Sequence, residues 1–192
     1  MKLTQVHQGD RLVAAIVEGD KYRLIPGQTT ASLIVQAEIS GKPLATIAAA
    51  LAVNSKGEIQ GYMLGNDVSA WDIERENALY LPQSKVFDRC VALGPVLVTP
   101  DEIANPYELQ MTCTIQRGAQ TTFSGACSTN QLRRKFEELV KYLLKSNTVP
   151  SATVLFTGTG IIVTQEAALQ PGDVVTISVP EIGTLANPAV IV

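Results

Sequence analysis

Turn-forming pairs cut this chain into short pieces. Gly9-Asp10, Gly19-Asp20, Pro26-Gly27, Arg117-Gly118 and Pro171-Gly172 each separate brief runs rich in valine, isoleucine, leucine and threonine. Strands joined by breaks this tight pair with their neighbours in antiparallel fashion, because a parallel crossover needs a dozen or more residues. Residues 2–6, 12–17 and 22–25 are expected to form one small set of strands, closed by Pro26-Gly27. Residues 58–65, 108–117, 121–123, 153–156, 174–179 and 190–192 read as further strands, with Gly158-Thr159-Gly160 and Gly183 as breaks. In residues 108–117, Leu109, Met111, Cys113 and Ile115 alternate onto one face.

Helical periodicity is scarcer. Residues 131–145 place Leu132, Phe136, Leu139, Val140, Leu143 and Leu144 on one stripe, with Arg133, Arg134, Lys135, Glu137, Glu138 and Lys141 mostly opposite. Ser128 and Gln131 offer a capping box at its start. Residues 29–51 carry a weaker helical pattern broken before Pro43, and residues 72–77 suit a single turn. The fold class expected is α+β, mostly β, with a small N-terminal α+β unit at residues 1–53 and a larger domain at residues 54–192.

With 46% hydrophobic and 17% charged residues, the chain is globular. A net charge of −3, no basic run and only 5% aromatics argue against a nucleic-acid groove. The longest apolar run, residues 47–53, is too short to span a bilayer, and the first residues lack the apolar core of a signal peptide. A cytoplasmic protein with no membrane partner is expected. Cys90, Cys113 and Cys127 show no paired spacing and read as reduced thiols. The single histidine, His7, has no ligand-spaced histidine or cysteine near it, so zinc sites and serine–histidine triads are disfavoured. Glycine-rich nucleotide loops are absent from the sequence.

Three places could carry chemistry. Asp67 follows Gly65-Asn66 at a strand end, where an aspartate is either a turn former or a carboxylate facing a cavity. Lys85, between Pro82 and Phe87, is either a solvated loop residue or a cation at a site. Thr157, Gly158 and Thr159 form either a turn of small residues or a cradle of hydroxyl and N–H groups for a carboxylate.

Longer motifs add to this reading. Gly61-Tyr-x-x-Gly-Asn-Asp-Val-Ser-Ala70, Leu81-Pro-Gln-Ser-Lys-x-Phe-Asp88 and Leu93-Gly-Pro95 resemble the fumarylacetoacetate hydrolase superfamily. So do Thr157-Gly-Thr-Gly160, Leu169-Gln-Pro-Gly-Asp-Val-Val175 and Gly183-Thr-Leu-x-Asn-Pro188. The wording from Asp72 to Lys85 is most similar to the 2-keto-3-deoxy sugar acid dehydratase branch. The resemblance implies a mixed β-sandwich roll, a homodimer, and a Mg2+ or Mn2+ ion whose hard oxygen ligands and substrate chelation activate a small 2-oxo acid. It further implies that Asp67 is a metal ligand, that Lys85 is the catalytic lysine facing substrate, and that Thr157, Gly158 and Thr159 bind the substrate carboxylate. The reaction implied is acylpyruvate-type C–C hydrolysis or 2-keto-3-deoxy sugar acid dehydration.

Two departures stand beside the resemblance. The family's Glu-x-Glu metal pair is missing from the aligned positions, which hold Thr46 and Ala48, and the nearest similar triplet is Gln36-Ala37-Glu38. Trp71 stands where the family commonly has arginine. The segment carrying the glutamates is expected to be absent, so further ligands would have to come from Glu38, Glu58, Asp72 or a partner subunit. The alternative reading is a catalytically impaired family member that serves as a binding or oligomer-forming module.

Overall fold

The computed structural model describes residues 2–8, 11–18, 21–25 and 53–192. The helical pattern at 29–51, Glu38, Thr46 and Ala48 lie outside these residues.

The expected early strands form as β1 (Lys2–Gln8), β2 (Arg11–Glu18) and β3 (Lys21–Ile25), hydrogen-bonded in antiparallel succession. Their sheet continues into the rest of the chain. β1 pairs with β5 (Val91–Val98), and β5 pairs with β4 (Tyr62–Asp67), giving the order β3-β2-β1-β5-β4. A second sheet has the order β7-β6-β8-β9, built from β6 (Gln110–Arg117), β7 (Gln120–Ser128), β8 (Val174–Val179) and β9 (Gly183–Pro188). Gly183, expected as a break, instead opens β9 directly after the hairpin turn.

The two sheets face each other where β4 and β5 meet β8 and β9. Alternation decides what lies between them. Val175, Ile177 and Val179 of β8 turn inward with Cys113 and Ile115 of β6, and join Leu64 and Val98 from the first sheet. The expected inward face of β6 is observed. Burial pushes the Cys113 thiol up from its ordinary pKa, while Cys90 and Cys127 are half-buried free thiols.

The two described helices are α1 (Trp71–Glu76) and α2 (Phe136–Leu143). The second starts later than its periodicity suggests. The Ser128–Gln131 capping box exists, but it caps a 3-10 turn, Thr129–Gln131, after which Leu132 is extended at φ −62°, ψ 116°. Helix α2 begins only after Lys135, where the Tyr107 hydroxyl accepts the Phe136 N–H at 2.9 Å. That hydroxyl also donates to Glu137 at 2.7 Å and its ring stacks on Phe136. A tertiary cap therefore overrides the local one.

Two expected strands do not form. Residues 153–156 contribute a single bridge, from Thr153 to Val53, and residues 190–192 are irregular.

Candidate active site

Asp67 is the last residue of β4 and pairs in register with Val91, so a sheet, not a loose turn, aims it. The neighbouring glycine explains how a wall comes close. A Cβ on Gly65 would sit 2.5 Å from the Phe156 ring, so only glycine lets that ring lie against the strand. Phe156 is followed directly by Thr157, Gly158 and Thr159. Its contact with Gly65 brings this segment to the Asp67 end of β4.

Lys85 is fixed by a different device. It ends a 3-10 turn, Gln83–Lys85, anchored by the fully buried Ser84. The Ser84 hydroxyl donates to the Leu81 carbonyl at 2.8 Å, and its own carbonyl accepts the Ala70 N–H at 2.8 Å. The Cys90 thiol donates to the Lys85 carbonyl at 3.2 Å. With the backbone held, the Lys85 ammonium donates to Asp67 Oδ2 at 2.7 Å and to Ser69 Oγ at 2.6 Å. Ser69 lies two residues beyond Asp67, past the end of β4, and both reach the same ammonium.

Asp67, Lys85, Thr157, Gly158 and Thr159 all line one cavity of about 1040 Å3 that opens between the sheets. The structure thus gathers the residues picked out in the sequence. It treats the two threonines differently. The Thr159 hydroxyl accepts the Ile161 N–H at 3.0 Å and holds its own turn, with Gly158 at φ +85°. The Thr157 side chain is exposed and has no hydrogen-bond partner among the described residues. Ser69 and Phe156 were missed by the sequence reading. Ser69 carried a signal, its i+2 spacing from Asp67, whereas Phe156 carried none.

Charge is unbalanced in this space. Asp67, Asp72, Glu74 and Lys85 are the charged residues among its described lining, three carboxylates against one ammonium. An anionic ligand entering alone would meet net repulsion. Glu58, expected as a possible further ligand, is placed elsewhere: it accepts the Asn54 amide at 2.7 Å and does not line the cavity. Trp71 lines the cavity and carries Arg75 over its ring at 4.2 Å, and Arg75 also donates to Gln165 at 2.5 Å.

The fumarylacetoacetate (FAA) hydrolase C-terminal family model matches residues 37–190. The chain belongs to this family. Over 139 residues it is 48% identical to 2-dehydro-3-deoxy-D-arabinonate dehydratase of Saccharolobus solfataricus, covering 72% of this chain and 47% of that protein. It is 31% identical over 145 residues to the mitochondrial oxaloacetate tautomerase FAHD2A of Homo sapiens, covering 72% of this chain and 45% of that one. The chain thus spans about half the length of the curated relatives it matches. A solved 2-keto-3-deoxy-D-arabinonate dehydratase complexed with magnesium and 2,5-dioxopentanoate superposes with a TM-score of 0.80 at 29% identity, covering 98% of each chain.

Whether this FAA hydrolase family member can hold a divalent ion turns on its donors. No group of three histidine, cysteine, aspartate or glutamate side chains among the described residues is placed to enclose a metal. Of the three carboxylates lining the cavity, Asp67 is the one held at a strand end and touched by Lys85. That fits Mg2+ or Mn2+ bound through a single protein carboxylate with water and ligand oxygens in its other positions, a common arrangement for Mg2+. It does not fit a closed protein cage. No helix among the described residues is long and apolar enough to cross a membrane.

Proposed function

We propose that this chain acts on a small 2-keto-3-deoxy sugar acid and removes water from it, with a divalent cation at Asp67. The observation that carries the proposal is the Asp67–Lys85–Ser69 constellation in a cavity walled by Thr157 and Gly158. The likeness to a dehydratase favours dehydration over C–C hydrolysis.

Each side chain has work that its position allows. Asp67 would hold the cation through its carboxylate oxygens. Bound there, Mg2+ or Mn2+ supplies Lewis-acid polarisation of the 2-oxo group. The Lys85 ammonium would place a positive charge beside negative charge developing on the keto oxygen. Thr157 offers a hydroxyl and Gly158 an unhindered backbone to the substrate carboxylate. Thr159 shapes the turn that presents them. Phe156 and Ile161 line the same space and would give the reacting carbons an apolar wall.

Proton NMR of the purified chain with 2-dehydro-3-deoxy-D-arabinonate and Mg2+ tests this directly. The expected outcome is loss of one water to give 2,5-dioxopentanoate, reduced at least a hundredfold in Lys85→Ala. Unchanged substrate at saturating Mg2+ would remove the dehydratase reading.

A further inference from the structure

We infer that Lys85 is a built-in countercation for Asp67, so a divalent metal binds the bare site weakly and binds well only together with an anionic 2-oxo acid. The inference rests on the functional reading above and adds a binding order to it.

The geometry gives the ammonium and a metal ion the same ligand. Lys85 Nζ sits 2.7 Å from Asp67 Oδ2. A dication approaching that carboxylate would lie within a few ångströms of a fixed positive charge, and their repulsion weakens its binding. Among the described residues, no group of three or more histidine, cysteine, aspartate or glutamate side chains is placed to hold a metal and so offset this.

The lysine is also placed so that it can let go. Its backbone is pinned by its own N–H to the Pro82 carbonyl at 3.2 Å and by the Cys90 thiol on its carbonyl. Its side chain is about one-third exposed and rides on a flexible four-carbon stem. Displacement therefore needs rotation about side-chain bonds and no refolding. A 2-oxo acid supplies what makes displacement favourable, since its anionic oxygens accept from the freed ammonium while also binding the metal.

Charge counting bears on the anion's half of the coupling. The three lining carboxylates and one ammonium leave a formal charge of −2. A dication cancels that, and the cavity then accepts a monoanion without the repulsion it would meet alone. Metal and anion each improve the site for the other, and such coupling must be reciprocal.

Mn2+ binding, read by electron paramagnetic resonance of the free ion, tests this with and without oxalate as the probe anion. In the unaltered chain oxalate should tighten Mn2+ binding on the order of tenfold or more. Lys85→Met should bind Mn2+ alone on the order of tenfold tighter than the unaltered chain, and most of the oxalate enhancement should vanish. Ser69→Ala, which removes only one anchor of the ammonium, should shift Mn2+ binding in the same direction by roughly threefold, and it keeps the test alive if Lys85→Met does not fold. Mn2+ affinity that is equal or weaker in both variants, with binding still lost in Asp67→Asn, would overturn the countercation and leave the functional reading intact. Undiminished binding in Asp67→Asn would overturn both.

Discussion

Two aspartates in this molecule are each paired with a cation, and the contrast between them separates scaffold from site. Asp173 has a side chain only 1% exposed, while that of Asp67 is 38% exposed. Arg117 grips Asp173 with two donors, Nε at 2.9 Å and Nη2 at 2.8 Å, and the Gln170 N–H adds a third bond at 2.9 Å. Arg117 Nη2 also reaches the Ala168 carbonyl at 3.1 Å, tying the loop that ends the cavity wall. Asp67, by contrast, receives one ammonium proton from a flexible lysine. A buried carboxylate held by a bidentate guanidinium cannot lose that partner without being stranded, whereas a half-exposed single contact is screened by water and easily exchanged.

The largest stability effect is therefore expected at the buried Asp173 carboxylate and its fork of donors. Asp173→Asn should lower Tm on the order of ten degrees, checked by calorimetric melting. A loss of only a degree or two would mean that the fork carries no structural load. The same pair sets an acid limit. The Arg117 guanidinium, followed by the Gln170 N–H, holds the Asp173 carboxyl down at about 2, below its ordinary 3.8. Because the folded value is the lower one, this stabilisation is complete above about pH 4 and is lost as pH falls toward 2. In the unaltered chain Tm should fall across that window, and the fall should be much shallower in Asp173→Asn.

A smaller effect belongs to the cap of α2. Tyr107→Phe removes the acceptor for the Phe136 N–H and the donor to Glu137, at a cost of about 1 kcal/mol and a few degrees in Tm. The Tyr107 hydroxyl holds the Glu137 carboxyl below its usual range. The substitution should therefore let the Glu137 pKa rise, which carboxyl NMR would follow.

The same contrast explains what could be read in the sequence. Period-two alternation and glycine-centred turns are local, so β1 to β3, β6 and β8 were legible, as was Asp67 at a strand end. The motifs around Asp67, Lys85 and Thr157 were legible as a family resemblance. Features set by residues distant in sequence were not. The start of α2 depends on Tyr107, which lies 29 residues before Phe136. Residues 153–156 have strand-like composition, yet their course is set by the fit of Phe156 onto Gly65. Glu58 reads as a possible further metal ligand in sequence, but Asn54, four residues before it, claims its carboxylate for a turn. Ser69 was within reach, because it stands two residues from Asp67 inside the same motif.

The smallest stability change is expected at Asp67, and it marks the most direct test of the account. Asp67→Asn should be melted and titrated calorimetrically with Mg2+ plus oxalate, side by side with the unaltered chain. A Tm within about two degrees of the unaltered protein, together with loss of the metal–oxalate heat, is the predicted result. A large drop in Tm, or a heat that survives the substitution, would contradict the claim that Asp67 serves the site and not the fold.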